Sequence, residues 1–216
     1  MWFFKKRTKN DYEKEFLEAL NFSRKMLNDN IPFKFNRKKV LSDNASSEIS
    51  NKILEEYGQF DFNKAFSGQC TTANCLMFEF LKNFCKCDIY YTIGYLTDKI
   101  KKDENGEKIV IFKENRKEII KYVKNDMVRI GNPEKRKINL HAWVTLSSME
   151  IIDITLSATL SSANVPYFSA KEKPYRIIAG YPCSEDNYFE YHPQVIISSD
   201  KILEDANELI STSIIL

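Results

Sequence analysis

Histidine is scarce in this chain: His141 and His192 are the only two among 216 residues. That leaves few ligands for a structural zinc site, and Cys85-Lys86-Cys87 lacks the two-residue gap of zinc or redox pairs. No metal and no other cofactor is expected. Long apolar runs are missing as well; none approaches the roughly 18 residues that a membrane-spanning helix needs. The opening MWFFKKRTKNDYEKEF puts its aromatics ahead of its basic cluster, the reverse of a secretory signal. A soluble, cytoplasmic protein is the expectation, although export by a signal-free route would leave no mark here. Charge of one sign is not in excess: 32 Lys and Arg face 30 Asp and Glu, for a net charge of +2. A dedicated nucleic-acid binder usually carries a strong basic bias, so neither nucleic acid nor membrane is expected as a partner. The cysteine count, five, is odd and its spacing fits no disulfide framework. Reduced thiols in a cytosolic compartment are the simplest reading.

Regular patterning fills the chain, with no internal repeat and no low-complexity linker. One domain over 1–216 is expected: an N-terminal helical part to about residue 60, a core from 67 to 155, and closing strands and a helix from 156 to 216. Asn10 to Asp29 and Ser42 to Tyr57 read as helices, with an extended stretch at IPFKFNRKKV between them. Ala73, Leu76, Met77, Phe80, Leu81 and Phe84 recur at helical spacing, which predicts one continuous helix from Cys70 to Phe84 with a single buried face. CDIYYTIGYLTD predicts a strand, DENGEK an Asn-Gly turn into KIVIF, and KENRKEIIKYVK a short helix. INLHAWVTL and MEIIDITL predict two strands with a short loop between them. YRIIAGY and QVIIS read as short strands and SDKILEDANELIS as a closing helix, while 157–168 reads as a surface loop that could border a cleft. Tyr90, Tyr91 and Tyr95 read as core or sheet-surface residues, and His192, just before a proline, as a loop histidine.

Cys70 stands apart from the other cysteines because it opens a helix. Free N–H groups and the helix dipole there favour a thiolate, and Gly68 allows a tight turn beside it. The plainer reading is a small core cysteine. What decides between them is a base. In the strand LHAWVTL, alternation puts His141, Trp143 and Thr145 on one face. In MEIIDITL, Ile151, Asp153 and Thr155 share a face, and a carboxylate among isoleucines is costly unless something pairs with it. A neighbouring histidine would do so. That pairing requires an odd-numbered loop between the strands, such as Ser147 to Met149, which sets Asp153 opposite Trp143 and diagonal to His141, or a bulge that resets the register. An even loop sends the two side chains to opposite faces.

Gly68-Gln69-Cys70 at a helix start, His141-Ala142-Trp143 on a strand and Asp153-Ile154-Thr155 beyond it, in that order, resemble the transglutaminase-like superfamily of papain-type cysteine enzymes. The resemblance covers Ser67 to Thr155. It implies an α+β fold, with the nucleophile helix packed on an antiparallel sheet or partial barrel. It also implies Cys70 as nucleophile, His141 as base and acid, and Asp153 as the group that orients the ring. Gln69 and Trp143 are candidate oxyanion or substrate contacts. The long interval from Cys70 to His141 implies an inserted hairpin or helix within Cys87 to Lys137. The expected activity is thiol acyl transfer on a protein or peptide substrate, with hydrolysis of an amide bond favoured. The alternatives are transfer to an amine, as in a transglutaminase or N-acyltransferase, and a catalytically inactive binding module on the same fold.

Overall fold

Thr8 and Asp11 cap each other reciprocally and start the first helix, α1 (Lys9–Leu27). In this computed structural model the described residues are 7–57, 69–125, 139–162, 177–184 and 187–213. Gly68 and the second half of the expected loop, 163–168, lie outside them. After α1 come α2 (Ala45–Tyr57), α3 (Cys70–Leu76), α4 (Phe78–Cys85), β1 (Ile89–Lys102), β2 (Lys108–Ile111) and α5 (Arg116–Asn125). Then follow β3 (His141–Leu146), β4 (Ile151–Asp153), α6 (Leu156–Ser162), β5 (Ile178–Gly180), β6 (Phe189–Ile197) and α7 (Ser199–Ser213). The architecture is mixed: helices pack on an antiparallel sheet that forms a half-barrel. No helix among the described residues is long and apolar enough to cross a membrane.

β1 is the spine of the sheet. It pairs with β3 from Ile89 to Gly94, with β2 from Leu96 to Lys102, and with β6 from Tyr91 to Asp98, all antiparallel. A strand has two edges and β6 overlaps both other partners, so β2 and β3 share one edge end to end. The handover falls between Gly94, opposite His141, and Leu96, opposite Ile111. β4 and then β5 continue the sheet beyond β3.

Both faces of the sheet are covered. Ala142, Val144 and Leu146 of β3 join a core with Ile49 and Ile53 of α2, Phe78 and Leu81 of α4 and Ile202 of α7. Trp143 and Ile151 face a second core built with Tyr12, Phe16 and Leu20 of α1. One buried hydrogen-bond chain crosses this second layer: the Trp143 indole N–H reaches the Tyr12 hydroxyl (3.0 Å), Tyr12 reaches Thr145 Oγ1 (2.8 Å), and Thr145 reaches Thr92 Oγ1 (2.8 Å). Thr92 donates onward to the Tyr90 carbonyl (3.3 Å), which fixes the direction of every hydroxyl before it.

Three expectations need correction. The helix expected over Cys70 to Phe84 is two helices with Met77 between them (φ −86, ψ 0), although hydrogen bonds run on through it. Leu76 is turned to solvent at 42% exposure, while Asn74, Phe78, Leu81 and Cys85 are buried. The stretch after Asp153 begins with helix α6, capped from Asp153, where a loop was expected. His192 lies within β6, which runs from Phe189 straight through Pro193. The strand tolerates a residue without an N–H there because Gln194 is an extra, unpaired position that shifts the register against Ile93 and Gly94.

Gly94 sits where these strands crowd. A Cβ at this position would lie 2.1 Å from the His192 carbonyl oxygen and 2.7 Å from the Trp143 ring. Both neighbours are fixed in the sheet. Gly94→Ala should cost roughly 2–3 kcal/mol by overpacking and lower the melting temperature by roughly 5–10 °C. Gly106→Ala, with open space but φ +80, should cost about 1 kcal/mol. Calorimetry that ranked them the other way would contradict this packing.

Candidate active site

The site grows from the β3–β4 hairpin. Thr145 pairs with Ile151 and Val144 with Ile152. The Leu146 N–H bonds the Glu150 carbonyl (2.8 Å), so the loop is the three residues Ser147 to Met149. Within it the Met149 N–H closes a turn onto the Leu146 carbonyl (2.9 Å), and Met149 takes the left-handed conformation that three-residue hairpins place last (φ 67). Buried Glu150 pins this turn to the segment before α2: its carboxylate accepts from the Val40 (2.7 Å) and Leu41 (3.1 Å) N–H groups and from the Ser148 hydroxyl (2.6 Å). The loop is odd in length, so Asp153 falls on the same face as His141.

The two side chains meet there. His141 Nε2 and Asp153 Oδ2 lie 2.6 Å apart, and both residues are out of solvent. The carboxylate is fully engaged. Oδ2 also accepts from the Tyr191 hydroxyl (3.0 Å), and Oδ1 accepts from the Thr155 N–H (3.0 Å), the Thr155 hydroxyl (3.3 Å) and the Leu156 N–H (3.0 Å). This explains how an aspartate survives among isoleucines: every lone pair that burial strips of water has a donor.

Burial alone disfavours an imidazolium at His141. The Asp153 charge and hydrogen bond outweigh it, nearby Cys70 adds a smaller push in the same direction, and the ring's pKa is pushed up to about 10. Burial likewise works against the Asp153 carboxylate, but His141 and the Thr155 and Leu156 N–H groups hold its pKa below the ordinary value. The pair is therefore imidazolium and carboxylate at neutral pH. Nε2 is committed to Asp153.

Cys70 is half-buried at the first position of α3, packed against the core, with its thiol 3.6 Å from the Leu140 carbonyl oxygen. α3 is held on both sides. Tyr91 donates to the Thr71 carbonyl (2.8 Å) and Tyr122 to Thr71 Oγ1 (3.1 Å). Asn74 Nδ2 bonds the Cys70 carbonyl (2.8 Å) and the Ala142 carbonyl (3.0 Å). Burial pushes the Cys75 and Cys85 thiols up to about 12 and raises Cys87 as well. All five cysteines are free.

Of the other two expected contacts, Gln69 is exposed and immediately precedes α3 without capping it. Trp143 is fully buried, donates its indole N–H to Tyr12 and lies against the His141 ring (centroids 6.0 Å). Among the described residues no group of three or more His, Cys, Asp or Glu side chains converges as a metal site.

Three participants were not legible in the sequence. Tyr191 lies in FEYHPQV, where the proline disguised the strand. Asn74 falls outside the apolar stripe that periodicity marks from Ala73 to Phe84. Phe112, just past β2, stacks on the His141 ring (5.4 Å, 26°) with its backbone in the left-handed region at φ 60. It gets there because β2 ends where β3 begins along the β1 edge. A non-glycine residue held in that conformation stores strain of the kind that clusters at functional sites.

Comparison with protein-family models, with curated proteins and with solved structures finds no match to this chain.

Removing Asp153 should be costly in a pH-dependent way. Asp153→Ala leaves Tyr191, two N–H groups and a buried imidazole without their partner, and should cost about 3–5 kcal/mol near neutrality. His141 is raised in the folded state. Its contribution is thus complete below its unfolded value near 6.5 and is lost as pH rises toward the folded value of about 10. Asp153 is depressed, so its share is lost only in acid, as pH falls below its ordinary carboxylate range. The stability gap between wild type and Asp153→Asn, measured by urea denaturation, should therefore narrow from pH 6.5 upward. A gap constant from pH 6 to 10 would show that the pair is not charged.

Proposed function

We propose that this protein is a thiol acyl-transfer enzyme of the transglutaminase-like, papain-type kind, acting on protein or peptide substrates and hydrolysing an amide bond. The observation that carries this reading is the buried His141–Asp153 pair, 2.6 Å apart, at the start of a strand beside a half-buried cysteine that opens a helix. A structural ion pair would need no nearby thiol, and a core cysteine would need no charged pair.

In this reading the proton that Cys70 gives up is carried on His141 Nδ1. The thiolate attacks the carbonyl carbon of an amide. Charge develops on the carbonyl oxygen, where the Cys70 backbone N–H can receive it, with the exposed Gln69 side chain as second donor. His141 returns the proton from Nδ1 to the leaving amine as the C–N bond breaks, which leaves a thioester on Cys70. Water then attacks with His141 as base, and thiol and acid are released. Asp153 stays ionised throughout and holds the ring in one orientation. Water is taken as acceptor because the sequence offers no feature that would build an amine site.

Amide and thioester activity probes, read by intact mass, test this. The wild type should gain one acyl adduct on Cys70, and Cys70→Ala none. Turnover of any substrate so found should fall by about a thousandfold or more in the variant. Full turnover by Cys70→Ala would end the proposal. A wild type that takes no probe, with Cys70 alkylated by iodoacetamide at pH 6 no faster than Cys183, would leave a binding module.

A further inference from the structure

Asn74 is completely buried one turn into α3, on a helix face otherwise made of apolar side chains. Its amide nitrogen donates both protons to carbonyls, one on Cys70 and one on Ala142. Those two acceptors settle which end of the amide faces them, because an amide oxygen there would meet two carbonyl oxygens. Oδ1 is buried and has no hydrogen-bond partner among the described residues. A buried acceptor with no donor carries an uncompensated desolvation cost, which a leucine of nearly the same shape would avoid. The residue is therefore poorly explained by stability alone.

Its bonds join two particular places. Cys70 is the residue whose thiol must meet the imidazole, and Ala142 is the chain neighbour of His141. One nitrogen thus spans from the nucleophile's own backbone to the strand that carries the base. The geometry points to Asn74 as a positioning residue that fixes the nucleophile helix against β3 and so sets the separation of the Cys70 thiol from His141 Nδ1. This inference rests on the thiol acyl-transfer reading. Proton sharing between sulfur and nitrogen falls steeply once the two separate, so loosening this tie should return Cys70 toward an ordinary thiol. The helix itself does not depend on the tie, since Tyr91 and Tyr122 hold Thr71 from the other side.

The test is the pH profile of Cys70 alkylation by iodoacetamide, resolved by peptide mass with Cys183 as internal reference, in wild type, Asn74→Leu and Asn74→Asp. Thermal melts run in parallel. Asn74→Leu should melt within a few degrees of wild type. Its Cys70 profile should move upward by about one pH unit, which slows alkylation at pH 6 by about tenfold. Cys183 should not change. A folded Asn74→Leu with the wild-type profile would overturn the role of Asn74 and leave the acyl-transfer reading intact. A wild-type Cys70 that titrates like Cys183 would overturn that reading, and the inference with it. Should neither variant fold, the side-chain amide signals of Asn74 in wild-type NMR spectra decide. They should shift when Cys70 is carboxamidomethylated, and unchanged signals would overturn the inference.

Discussion

A carboxylate sealed from water among isoleucines needs a partner for each lone pair, and much of this protein is arranged to supply them. Asp153 draws its donors from four sources: the imidazole at the start of β3, a phenol on β6, a hydroxyl beside it and the first N–H groups of α6. Several features of the fold follow from that requirement. The hairpin loop must be odd in length. β6 must run on past its proline far enough to bring Tyr191 into place. The chain must turn into a helix as soon as it leaves β4, so that backbone donors converge on Oδ1. The carboxylate in turn keeps the imidazole protonated against the pull of burial.

The second constraint is the shared edge of β1. β2 and β3 meet there end to end, and the seam falls at His141. Gly94 permits the crowding of β3 and β6 at that seam, and Phe112 closes over the imidazole from the β2 side. The segment between α3 and β3 thus contributes the spine of the sheet, an aromatic cover for the ring and, in α5, the tyrosine that braces Thr71. Charge, aromatic walls and the helix that Cys70 opens come together at one strand junction, which is the physical basis for the proposed thiol chemistry.

Much of this was legible because it depends on period and parity. Alternation along His141 to Leu146 and Ile151 to Asp153 fixed which side chains share a face, and the length of Ser147 to Met149 fixed whether the two faces agree. Most helices and strands were marked by periodicity and turn residues such as Asn105-Gly106. What sequence could not show was set by tertiary context. Pro193 masked a strand because the bulge that tolerates it exists only against β1. Leu76 is exposed where Asn74 is buried, and the second Asn74 acceptor, the Ala142 carbonyl, is available only once β3 is in place. Phe112 has no local signature, since its position over His141 comes from two strands abutting on a third. The Trp143 N–H goes to a hydroxyl that α1 supplies, a contact between segments far apart in the chain.

The central claim is that His141 carries a proton at neutral pH because Asp153 holds it there beside Cys70. The most direct measurement is nitrogen-15 NMR of the imidazole across pH 5 to 9, with His192→Gln used for assignment. Both ring nitrogens of His141 should remain protonated through pH 8, and the Nε2 proton should resonate far downfield, as a short bond to a carboxylate requires. A ring that titrates near 6.5 with one bare nitrogen above that pH would contradict the account.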